Sequence, residues 1–61
     1  MTIEQLREYA KEMFDNPSDV LQTVLQELID EQGWLYDISL EEAVQSHSKI
    51  IERKLKQYYE R

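Results

Sequence analysis

The chain has 61 residues with one glycine, one proline and no cysteine, and a formal net charge of −6 on a composition that is 41% hydrophobic and 33% charged. This excludes a disulfide scaffold, a disordered or fibrous chain and a membrane span, and leaves room for one helical domain over residues 1–61. A chain this short buries only about 60% of the surface its unfolded form exposes, so its helices must pack unusually well or a second copy must complete the core.

Thr2 and Gln5 have capping-box spacing, and Ile3, Leu6, Ala10 and Met13 then recur at steps of three and four, with Tyr9 and Phe14 beside the stripe. The spacing predicts a first helix over about 3–14. It must stop at Asn16, because Pro17 disfavours helical geometry in the residue before it while suiting the first position of a new helix. The second helix, about 17–32, has Asn16 as its expected cap and Asp19 in its electropositive first turn. Val20, Val24 and Leu28 form one of its apolar rows and Leu21, Leu25 and Ile29 the adjacent one, so half its circumference needs cover from two neighbours.

Gly33 stands where a left-handed helix ending is needed, and Trp34 would fold back on Ile29 one turn earlier. Trp34, Leu35 and Ile38 are expected to plug one end of the core; Tyr36 and Asp37 have no role in this punctuation. Ser39 and Glu42 have capping-box spacing again, Ile38 and Ala43 are placed as a hydrophobic staple, and Glu41 and Glu42 complement the dipole of a third helix over about 40–59. Leu40, Val44, Ile51, Leu55 and Tyr58 share a narrow arc of it, with Ala43, His47 and Ile50 along one edge. At ~1.5 Å per residue it would span about 30 Å against about 24 Å for the second, so its last turn is expected to project.

These elements predict an all-α three-helix bundle with the second helix central, or alternatively a hairpin of helices two and three that dimerises into a four-helix arrangement. The predicted core is Ile3, Leu6, Ala10, Met13, Phe14, Val20, Leu21, Val24, Leu25, Leu28, Ile29, Trp34, Ile38, Leu40, Val44, Ile51 and Leu55.

Charge is unevenly spread. Residues 1–42 hold eleven acids against Arg7 and Lys11, a net −9, whereas residues 43–61 hold Lys49, Arg53, Lys54, Lys56 and Arg61 against Glu52 and Glu60, a net +3. The acidic body would repel phosphates, so direct nucleic-acid binding is not expected; such asymmetry steers a protein toward another protein. The N-terminus MTIEQLREYAKE lacks the basic start and apolar stretch of a signal peptide, so a cytoplasmic protein is expected, with no membrane association.

Chemistry-bearing patterns are sparse. His47 is the only histidine, and Ala43, Val44, Ile50 and Ile51 at its helical neighbours offer no metal ligand. Ser46 and Ser48 flank it in sequence but point about 100° away, and no acid on the same face would orient the imidazole. Glu4, Glu8 and Glu12 form an i, i+4 row that reads as a solvated stripe, since Arg7 and Lys11 lie within a turn. No phosphate-binding glycine loop is present, and the connection after Gly33 is long for a DNA-reading helix-turn-helix. No enzyme, cofactor or metal is therefore expected.

Within SKIIERKLKQY, Ser48, Ile51, Glu52, Leu55 and Tyr58 fall in register with a helix of the small helical-hairpin phosphatases that act on response-regulator aspartates in sporulating bacteria. That stretch resembles the family's Ser-Gln-Glu-Leu-Asp segment, although Lys49, Ile50 and Glu52 replace its Gln, Glu and Asp. The resemblance implies a helical aspartyl-phosphate phosphatase in which Glu52 would be the essential acid.

The leading expectation is a non-catalytic regulator, inhibitor or adaptor that occupies the surface of a partner protein, or of a second copy, through Tyr36, Lys54, Leu55, Lys56, Tyr58 and Tyr59. A second expectation is a nucleic-acid mimic whose acidic face combines Glu4, Glu8, Glu12, Asp19, Glu27, Asp30 and Glu31.

Overall fold

A computed structural model describes residues 1–60; Arg61, from the basic end, lies outside the described residues. Three helices, α1 (Ile3–Met13), α2 (Pro17–Gln32) and α3 (Leu40–Tyr59), each pack against the other two. The chain is a three-helix bundle without a central member. Its core closes within one chain, because α1 supplies the cover that the hairpin alternative would have taken from a second copy.

Local chemistry sets most of the boundaries. Thr2 Oγ1 accepts from the Gln5 N–H at 3.2 Å and Gln5 Oε1 accepts from the Thr2 N–H at 2.9 Å, so both halves of the first capping box form. Phe14 leaves α1 with φ −134°, one residue before the expected end. Pro17 opens α2 and Asn16 takes the N-cap position as expected, without a side-chain hydrogen bond. Gly33 ends α2 at φ 70°, and both its own N–H and that of Trp34 reach the Ile29 carbonyl, the latter at 3.2 Å. At α3 only half of the expected box forms, with Ser39 Oγ accepting from the Glu42 N–H at 3.2 Å.

The buried core is Leu6, Ala10, Leu21, Val24, Leu25, Leu28, Ile29, Ala43, Val44, Ile51 and Leu55, with Ile3, Phe14, Val20, Trp34, Ile38 and Leu40 packed partly against it. Ala43 proves to be central rather than at an edge. Tyr9, Ile50 and Tyr58 join the periphery from outside the expected set. Leu35, expected in the plug, is 74% exposed.

The largest departure from expectation is in α3. His47 takes φ −138° and ψ 38°, outside the helical region, and divides α3 into two helical segments. In the C-terminal segment the chain runs antiparallel to α2, since His47 meets Trp34 while Lys54 meets Glu27 and Glu31. It runs parallel to α1, since Phe14 at the end of α1 meets Tyr58 and Tyr59. A straight α3 would carry Leu40 about 10 Å past His47, away from the start of α2. Instead Leu40 shares a groove with Arg7, Lys11, Pro17, Ser18, Leu21 and Gln22, so the bend folds the first turns of α3 back over the α1–α2 corner. The molecule measures 28 × 23 × 18 Å, and α3 does not extend beyond its neighbours as the 30 Å estimate implied.

Candidate protein-docking surfaces

Gly33 reverses the chain at the end of α2, and its left-handed backbone is what sends Trp34 back toward the helix. The indole stacks on the His47 imidazole with ring centroids 4.3 Å apart and planes inclined by 15°. Four residues on, Ile38 packs against the core, and its N–H donates to the Leu35 carbonyl at 3.2 Å. That bond closes a four-residue turn with Tyr36 and Asp37 at its centre. Trp34 and Ile38 are thus two anchors, and the residues between them are forced outward. Leu35 is 74% and Tyr36 82% exposed, the two most exposed large apolar side chains among the described residues. The role that the sequence left open for Tyr36 and Asp37 is the centre of this turn.

Asp30, Glu31, Asp37, Glu41 and Glu42 lie within a few residues of the tip on either side, and all are exposed. Leu35 and Tyr36 therefore form an apolar point set in an acidic stretch of chain. The turn hydrogen bond, the two hydrogen bonds accepted by the Ile29 carbonyl and the Trp34–His47 stack restrain the connection on either side of the tip without covering it.

The other expected partner contacts do not join Tyr36. Along α3, Tyr58 stands about 16 Å beyond the level of His47, on which Trp34 stacks. There Phe14 packs edge-on against Tyr58 at 5.9 Å and against Tyr59 at 5.7 Å. Tyr58 is half-buried by this packing, while Tyr59 remains 56% exposed and Lys56 is exposed. Leu55 is 0% exposed and belongs to the core, which removes it from any docking surface. The Lys54 side chain is only 14% exposed, with its Nζ 2.7 Å from Glu31 and 3.6 Å from Glu27, so it bridges α3 to α2 instead of facing a partner.

That same lysine divides the acidic surface. Glu27 and Glu31 are engaged by Lys54, while Glu8 makes a solvent-exposed pair with Lys11 at 3.6 Å, of the kind that contributes little. Glu4, Glu12, Asp19 and Asp30 are exposed. Of the residues in register with the phosphatase segment, Ile51 and Leu55 are buried and Ser48, Glu52 and Tyr58 half-buried, and Glu52 shares a groove with Tyr9, Lys49, Arg53 and Lys56. Among the described residues no three His, Cys, Asp or Glu side chains converge to hold a metal, and no helix is long and apolar enough to cross a membrane. No family model, curated protein or solved structure matches the chain.

Proposed function

We propose that the chain is a non-catalytic protein-binding module that docks through the Leu35–Tyr36 tip. The observation that carries this reading is the pairing of high exposure with restraint: two large apolar side chains, adjacent in sequence, are held outward by a turn anchored at Trp34 and Ile38. Exposing them costs solvation free energy that an inward turn would recover, and a rigid tip loses little entropy on binding. Its acidic surroundings suit a partner with an apolar pocket rimmed by lysine and arginine, which would speed encounter and orient docking. Tyr59 and Lys56, on the last turn of α3, are secondary contacts in this reading.

The test compares the wild-type chain with a Leu35→Ala, Tyr36→Ala double variant as bait. Both side chains are exposed, so the variant keeps its helix content by circular dichroism. A partner identified with the wild type and then purified should bind the variant at least tenfold more weakly, with the loss in dissociation rate. Equal affinity for both chains removes the tip from the interface.

A further inference from the structure

On the face shared by α1 and α3, two rows of opposite charge lie side by side. Glu4, Glu8 and Glu12 follow one edge of α1, at i, i+4 spacing, in a groove with Met1, Gln5 and Tyr9. Lys49, Arg53 and Lys56 follow the facing edge of α3, with Glu52 between them and the same Tyr9 at their border. All six of these row residues are exposed, and among the described residues only Glu8 makes an ion pair, the exposed one with Lys11. Counted at one charge each, the α1 row carries −3 and the α3 row, with Glu52, carries +2.

The two rows are also at matching heights. Phe14 lies beside Tyr58 and Tyr59, and α1 and this part of α3 run in the same direction with the same rise. Counting back two residues on each helix puts Glu12 level with Lys56. Six residues back puts Glu8 beside the 52–53 step, and ten puts Glu4 within one residue of Lys49. A two-fold axis parallel to the helices, in the plane of this face, preserves every height and exchanges α1 for α3. Each acid of the α1 row in one copy then meets a base of the α3 row in the other, with Glu52 beside the Glu8–Arg53 meeting as the one like-charge neighbour, whereas a two-fold axis across the helices would set the α1 acids against each other.

We infer that this face is a self-complementary surface that pairs two copies of the chain side by side, with Tyr9 near the axis. A standard interface takes about 800 Å² from each partner, roughly a fifth of the 4445 Å² surface. The inference is independent of the proposed docking tip, which lies in the α2–α3 connection outside this face. Pairing would present two tips from one particle and raise avidity for a repeated target.

The test uses two charge-reversal variants of the full chain, Glu4→Lys/Glu8→Lys/Glu12→Lys and Lys49→Glu/Arg53→Glu/Lys56→Glu, with helix content checked by circular dichroism. In sedimentation equilibrium the wild type should dimerise, and its dissociation constant should rise at least tenfold between about 0.05 M and about 0.5 M salt. Each variant alone should be monomeric, since like charges then face each other. Mixed in equal amounts they should form a heterodimer, because the three substituted positions of each row again face opposite charges. A single Arg53→Glu variant, weakening the wild-type dimer on the order of tenfold, provides the same readout if a triple variant fails to fold. A wild type that stays monomeric at about 1 mM, variants that dimerise alone, or a mixture of folded variants that stays monomeric would overturn the inference.

Discussion

Gly33 shows how much one residue decides. Its φ of 70° admits glycine readily and other residues only at a cost, and a Cβ placed there would meet no atom within 4 Å. The cost of Gly33→Ala is therefore backbone strain alone, about 1 kcal/mol, and urea denaturation should show the midpoint fall without a change in slope. Lys54 is a different kind of residue. Its stem lies against the bundle while its amine bridges Glu27 and Glu31, and Glu27 Oε2 is buried with no hydrogen-bond partner among the described residues. Its place on α3 was readable from periodicity, but its engagement by α2 was not, because residues 54 and 27 meet only after the chain has folded.

At the scale of elements, α3 is the instructive case. Every cue within Leu40–Tyr59 reads as one continuous amphipathic helix, with no proline or glycine to mark a break. The break at His47 coincides with the indole of Trp34, which arrives from the preceding loop. Replacing His47 with alanine removes the stacked partner and inserts a stronger helix former. The expected result is a loss of about 1 kcal/mol from the stack, with Trp34 fluorescence shifted to the red as water reaches the ring. A variant with unchanged emission would show that the stack does not shield the indole. The α2–α3 loop follows the same logic: Leu35 belongs to an apolar triplet by composition, yet the turn bond to Ile38 turns it away from Trp34 and Ile38.

For the whole molecule, size governs behaviour. At about 0.05–0.15 kcal/mol per residue, a chain of 61 residues has roughly 3–9 kcal/mol of stability. Each helix is covered only by the other two, so no pair retains a closed core when the third detaches. Leu6, buried on α1, is thus coupled to both α2 and α3. Leu6→Ala should cost about 2–5 kcal/mol, a large share of the total. Urea transitions followed by far-ultraviolet circular dichroism, which reports all three helices, and by Trp34 fluorescence, which reports the loop, should coincide in the wild type and in the variant. Separated transitions would mean that α1 unfolds on its own.

The number of helices, their limits to within a residue or two and most of the buried set follow from local chemistry: the Thr2 and Ser39 caps, Pro17, Gly33 and the apolar steps of three and four. These interactions act within a few residues, so they leave their mark in a contiguous stretch of sequence. The bend at His47, the outward Leu35 and Tyr36, the capture of Lys54 and the side-by-side charge rows join residues from different helices or from a helix and a loop. Which of several chemically plausible partners each side chain meets depends on how α1, α2 and α3 pack, and only the folded chain brings them within reach.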